Sequence, residues 1–125
     1  MHSSETAIMH EILGRLGSRP DVRLFRANVG AGRTFAGDSI RWGIKGQADL
    51  NGWVSVPCMA VALRGEMLSR ARPLAIRLEI EVKRPGCKQT EEQRTWQAAC
   101  ERHGVIYILA TSADEAEQKL EEALR

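Results

Sequence analysis

The chain reads as a single α/β domain: a mixed β-sheet with helices on both faces, in the order α-β-β-β-α-β-α. Three observations predict this. Arg77–Lys83 alternates polar and apolar residues without a slip, the period-two pattern of a strand with one buried face. Val105–Ala110 is an unbroken apolar run, expected of a central strand. Thr90-Glu91-Glu92-Gln93 and Ser112-Ala113-Asp114-Glu115 both have the form of a capping box, so a helix starts on either side of that run.

At 125 residues the chain supports one core, hence one domain spanning 1–125. Ser4 to Leu16 sets Ile8, Ile12, Leu13 and Leu16 at helical spacing, with Gly17 and Pro20 as the stop. Glu5 lies on the same stripe, three residues before Ile8, at the rim of the core or near a site. Val22–Asn28 reads as the first strand. The stretch punctuated by Gly30, Gly32, Gly37, Gly43 and Gly46 is too glycine-rich for regular structure, so a basic loop carrying Arg33, Arg41 and Lys45 is expected there. It lacks the Gly-Lys-Ser/Thr ending of a nucleotide cradle.

Ala48–Val56, opened by Asp49, is the second strand, and Leu74–Lys83 is the third. Residues 57–72 between them read as an insertion. Met59, Leu63 and Met67 recur there at helical spacing behind Pro57, while Gly65 argues against a helix. The helix opened by Thr90 is expected to bury Trp96, Ala99 and Cys100 and to end at Gly104. The last helix should bury Ala116, Leu120 and Leu124. Trp42 and Trp53 read as core anchors rather than base-stacking platforms.

Hydrophobic residues at 43% and charged residues at 27% exclude a disordered tail. A net charge of +2 is weak evidence for a polyanionic partner, but basic residues gather in the middle of the chain while Asp114–Glu122 is largely acidic. Cys58, Cys87 and Cys100 are odd in number and widely spaced, which excludes a zinc site and points to free thiols. His2, His10 and His103 have no ligand partner at useful spacing. No apolar run approaches the roughly 20 residues of a membrane span, and the start lacks a secretory signal, so a cytoplasmic protein with no membrane partner is expected.

The chemistry concentrates on one strand. Glu79, Glu81 and Lys83 share a face at about 6–7 Å intervals. An acid and an amine two residues apart, downstream of Gly46-Gln47-Ala48-Asp49, suit a divalent cation and a water positioned beside it. Asp49, Glu81 and the backbone carbonyl of Val82 form a minimal oxygen set for a hard cation that keeps several waters. The plainer alternatives are a solvated polar face, a Lys83–Glu81 salt bridge, and a Gln93 that only caps its helix.

The chain resembles the PD-(D/E)XK nuclease superfamily, and within it the virus-type replication-repair nuclease (VRR-NUC) domain. The residues that carry the likeness are Glu5-Thr6-Ala7-Ile8, Phe25-Arg26-Ala27-Asn28-Val29-Gly30, Gly46-Gln47-Ala48-Asp49-Leu50, and Glu79-Ile80-Glu81-Val82-Lys83-Arg84-Pro85-Gly86 running on to Thr90-Glu91-Glu92-Gln93-Arg94-Thr95-Trp96. Two departures stand out: Ala48 where the family usually has proline, and a long stretch between Asp49 and Glu81.

The resemblance implies a restriction-endonuclease-like core in which Asp49 and Glu81 bind Mg²⁺ or Mn²⁺ and Glu5 is the helix-one acid, ahead of its rival Glu11. Lys83 then holds or polarises the attacking water, and Gln93 faces the lysine side of the site. Arg26, Arg33, Arg41, Lys45, Arg84 and Lys88 are the candidate DNA contacts. It further implies a structure-specific DNA endonuclease, similar to Holliday-junction resolvases, acting on branched DNA as a homodimer in a bacterial or phage-infected cell. The alternatives are flap, nicking or duplex cleavage, or an inactive DNA-binding module on the same scaffold.

Overall fold

The computed structural model describes residues 4–28, 30–57, 62–63, 66–67 and 73–125. In chain order these form α1 (Glu5–Gly17), β1 (Val22–Arg26), β2 (Gly30–Arg33), β3 (Ser39–Trp42), β4 (Leu50–Val56), β5 (Ala62–Leu63), β6 (Glu66–Met67), β7 (Leu74–Val82), α2 (Glu91–Arg102), β8 (Ile106–Ala110) and α3 (Ala113–Ala123). Four strands make the main sheet in the order β1-β4-β7-β8, antiparallel except for the β7–β8 pair. With the two small hairpins set aside, the order is the expected α-β-β-β-α-β-α.

Strand parity decides what each face meets. Leu50, Val54, Leu78, Ile80, Val82, Ile108 and Ala110 point to one face, where Ile8, Met9, Ile12 and Leu16 of α1 and Ala113, Ala116 and Leu120 of α3 close the apolar core. Arg15 and Arg19 at the end of α1 pair with Asp114 and Glu121 of α3. Gly52 lets β1 and β4 close up: a Cβ there would stand 1.8 Å from the Arg23 carbonyl oxygen. The opposite face carries Asn51, Glu79, Glu81 and Tyr107, and side chains of α2 reach onto it. The two faces are thus chemically unlike, one apolar and one lined with acids.

The helix starts are built as the sequence implies. Ser4, Thr90 and Ser112 are N-caps, and the Thr90–Gln93 box makes both of its reciprocal bonds. In α3 the Ser112 hydroxyl accepts from the Glu115 N–H, while the Glu115 carboxylate is taken up by Thr111 and Lys119.

Four expectations are corrected. The glycine-rich stretch is a regular antiparallel hairpin, β2–β3, on which the Trp42 indole packs over Gly30 and Gly32; a Cβ at Gly30 would stand 2.5 Å from the indole, whereas one at Gly32 would only touch it. Val105–Ala110 supplies an edge strand, not a central one; its apolar character reflects cover by α3 on one face and packing against α2 on the other, not strands on both sides. Trp42 and Trp53 are each 45% exposed and anchor no core. The helical reading of 57–72 falls mostly outside the described residues, and four of the five residues described there pair as strands, Ala62 with Met67 and Leu63 with Glu66. Cys58, Arg64, Arg70 and Arg72 lie outside the described residues too.

Candidate active site

Asp49 stands just before β4, where the β1–β4 and β4–β7 ladders run out. Its carbonyl accepts from the Ala27 N–H at 2.8 Å, and its carboxylate Oδ2 accepts from the Val82 N–H at 2.7 Å. The side chain thereby takes the place of the next rung of the ladder. It is tied to β1 by its backbone and to β7 by its carboxylate. The residue before it, Ala48, is fully buried, so the position the family usually gives to proline is here a small core residue.

A cavity of about 270 Å³ opens at this point, lined by Glu5, Thr6 and Met9 of α1, Arg26 to Asn28 at the end of β1, Gln47 to Asp49, and Val82. Glu5 and Asp49 therefore face one space. Glu11 does not share it and pairs instead with Arg15 at 3.2 Å. Arg26 is a wall residue, the one predicted phosphate contact that lines the cavity.

Glu81 is buried to 1% exposure, which rules out the simple solvated strand. Both of its oxygens are held. Gln93 Nε2 donates to Oε1 at 2.7 Å, and the Tyr107 hydroxyl donates to Oε2 at 2.7 Å. The Gln93 amide meets two demands in one rotamer: its oxygen accepts from the Thr90 N–H at 2.8 Å while its NH₂ reaches Glu81. Cap and site, rival readings of Gln93 from local sequence, coexist because an amide carries both an acceptor and donors.

Lys83 is half-buried at the end of β7, its N–H bonded to the Ala110 carbonyl at 3.0 Å. Among the described residues it makes no ion pair, so the alternative of a salt bridge with Glu81 is not realised, and Glu81 is held instead by Gln93 and Tyr107.

The acids influence one another. Burial lifts the Asp49 carboxyl above its usual range; the Val82 N–H opposes this, the charge of Glu5 adds to it, and Lys83 opposes it. Burial likewise lifts Glu81, against the Tyr107 hydrogen bond; Asp49 raises it further, Lys83 lowers it, and Glu5 raises it. Three carboxylates and one amine thus lie within electrostatic reach of each other, a net negative locus. Among the described residues no group of three or more His, Cys, Asp or Glu side chains is arranged as a ready metal cage.

Glu79, the other acid of the strand, is a separate buried centre. At 1% exposure it accepts from Trp96 Nε1 at 2.7 Å, Arg77 Nε at 3.1 Å and Cys100 Sγ at 3.2 Å. Burial, then the carboxylate beside it, pushes the Cys100 thiol up to about 12, so it is a donor here and not a nucleophile. Glu79 supports α2 and lies apart from the cavity.

Of the other predicted contacts, Arg33 and Arg41 lie on the β2–β3 hairpin, Lys45 pairs with Glu92 at 3.1 Å, and Arg84 and Lys88 are exposed between β7 and α2. Tyr107 was not anticipated. The available signal was its parity: in a run where Ile106, Ile108 and Ala110 face the core, Tyr107 turns its hydroxyl to the acidic face and reaches diagonally from its register partner Glu79 to Glu81. No protein-family profile, curated protein or solved structure matches this chain.

Proposed function

We propose that the chain is a metal-dependent DNA endonuclease of the VRR-NUC type, with a PD-(D/E)XK core, hydrolysing phosphodiester bonds in branched DNA. The observation that carries the reading is that the half-buried Asp49 and the buried Glu81, on neighbouring strands, lie within electrostatic reach of each other and of Glu5 and Lys83. Burying like charges together is costly unless a cation offsets them. The donor set of Asp49, Glu81, Glu5 and the Val82 carbonyl is all oxygen, which fits Mg²⁺ or Mn²⁺ and suits zinc poorly. A bound cation supplies charge neutralisation at the scissile phosphate and a more acidic water.

The chain's own residues account for the remainder. The Val82 N–H and the Ala27 N–H hold Asp49 in position, and Gln93 with Tyr107 orients Glu81, the Tyr107 bond favouring its ionised form against the burial that raises its pKa. Lys83, just past the strand end and within electrostatic reach of both acids, polarises the attacking water and offsets negative charge in the transition state. Arg26 on the cavity wall is suited to a phosphate oxygen. A domain with one such site cuts two strands symmetrically only by pairing with a second copy, so a homodimer belongs to the proposal.

The test incubates purified protein with labelled four-way junction, flap and linear duplex in Mg²⁺, Mn²⁺ or chelator, beside Lys83→Ala. Metal-dependent cutting of the junction at symmetric positions, lost in the variant while binding persists, is the expected result. Cutting confined to flap or duplex changes the substrate and keeps the chemistry. Binding without cutting under every metal condition leaves an inactive DNA-binding module, and cutting that persists in Lys83→Ala overturns the site.

A further inference from the structure

The β2–β3 hairpin springs from the rim of the cavity. It leaves after Asn28 and the chain returns at Gln47, both cavity-lining residues. Its register pairs Gly30 with Trp42, Ala31 with Arg41, Gly32 with Ile40, and Arg33 with Ser39. Parity then gives the ribbon two unlike faces. One carries Trp42 and Ile40 over the two glycines. The other carries Arg33 and Arg41 among only Ala31 and Ser39, with no acid.

The tip is a built turn. Thr34 N–H donates to the Asp38 carbonyl at 2.9 Å, Gly37 N–H to the Thr34 carbonyl at 2.9 Å, and Asp38 N–H to the Thr34 hydroxyl at 3.1 Å, with Gly37 at φ +89°. This turn presents Phe35 outward at 115% exposure, more than in an extended peptide. Single exposed apolar residues are ordinary. Phe35, Ile40, Trp42 and Ile44 within ten residues, none less than 45% exposed, are not.

We propose that this hairpin is a DNA-engaging ribbon: Arg33 and Arg41 contact phosphates while Phe35 enters a base step and unstacks it beside the cleavage site. The proposal rests on the nuclease reading above and deepens it by naming how the substrate is distorted. Charge selects the occupant, since the arginine face is free of acids and Asp38 is the only acid on the ribbon. Size agrees: four-residue strands reach about 13 Å, and a two-stranded ribbon of that kind fits a DNA groove. Apolar wedges at base steps are an established way of kinking duplexes. The tip thus works about four base steps from the cavity, at roughly 3.4 Å per step.

The experiment uses a four-way junction carrying 2-aminopurine at successive positions, with the full chain in chelator so that binding is read without cutting. The unaltered protein is expected to raise fluorescence at one or two positions about four steps from the cut. Phe35→Ala should abolish that rise and weaken binding about tenfold, with an unchanged urea midpoint, and Phe35→Trp should restore both. Arg33→Ala and Arg41→Ala should each lower the salt dependence by about one counterion and leave the fluorescence pattern in place. Cleavage by the unaltered protein with no fluorescence rise, or a Phe35→Ala protein that behaves like it, overturns the ribbon and spares the nuclease. A Phe35→Ala change that instead separates a dimer identifies a self-interface and overturns the ribbon. Failure of the unaltered protein to bind any DNA overturns both.

Discussion

Replacing Tyr107 with phenylalanine removes one oxygen and tests whether Glu81 is held as a carboxylate. The Tyr107 hydroxyl donates to Glu81 Oε2 at 2.7 Å, on a side chain at 1% exposure. A hydrogen bond to a charged group contributes about 1.5–3 kcal/mol, and water has little access to replace it. Two factors hold the loss near 2 kcal/mol: Gln93 still serves Oε1, and Gln89, which gives Tyr107 a contact of 3.4 Å, keeps its 3.0 Å bond to Gln97. At about 2.1 cal/mol/K of unfolding entropy per residue, a chain of 125 residues loses about 4 °C per kcal/mol. Tyr107→Phe should therefore melt about 8 °C lower at neutral pH in chelator. The sign with pH follows from the charge. Burial raises the Glu81 pKa and the Tyr107 bond lowers it, so the bond favours the ionised form, and its contribution shrinks once acid protonates the carboxyl. Circular-dichroism melts at acid and neutral pH read both numbers. A drop under about 2 °C at neutral pH, or an equal drop at both, refutes the clamp.

Asp49→Asn should stabilise the metal-free protein, by an amount that grows with pH. The raised folded pKa of Asp49 means its favourable contribution is complete below the ordinary carboxylate value near 4 and is lost as pH rises through the folded value; melts of the two proteins side by side check this, and a constant difference contradicts it. Mn²⁺ should raise the melting temperature of the wild type more at pH 7.5 than at pH 5, and that of Asp49→Asn little at either; calorimetry gives the affinities. Gln93→Glu keeps the cap acceptor but sets a second carboxylate against Glu81, so it should resemble wild type in acid and be destabilised by about 1–3 kcal/mol at pH 8 in urea titrations. Gly46→Ala, at φ +86° with a Cβ 2.5 Å from the Glu92 carbonyl oxygen, should cost clearly more than Gly86→Ala, at φ +85° with open space around it, where the left-handed backbone alone costs about 1–2 kcal/mol; equal urea midpoints would contradict the clash.

Much of the core and part of the site were readable from local pattern. Caps, period-two strands and helical stripes act over a few residues, so α1, β7, α2 and α3 emerged from Ser4, Arg77–Lys83, Thr90 and Ser112 directly. Glu81 and Lys83 stand out by residue type and spacing on one strand face and Asp49 at the start of the strand before it, whereas local pattern reads Gln93 as a cap and only the family resemblance singles it out. The hairpin was missed because glycine composition argues for a loop, and only the Trp42 indole on the partner strand, which leaves no room for a side chain at residue 30, accounts for a glycine within the strand. The edge position of β8 was missed because an apolar run reports cover on its faces, not neighbours on its sides.

By itself the order of residues determined which segments become helix or strand, which face of each is apolar, and where along the chain the acids, the lysine and the arginines fall, since propensity, capping and alternation are short-range effects. Tertiary structure alone decided which oxygen meets which donor. Asp49 and Val82 are 33 residues apart, and Tyr107 and Glu81 are 26 apart. Pairing of β4 with β7 and of β7 with β8 closes those gaps, and the burial that comes with it raises the proton affinity of Asp49 and Glu81 above that of exposed carboxylates.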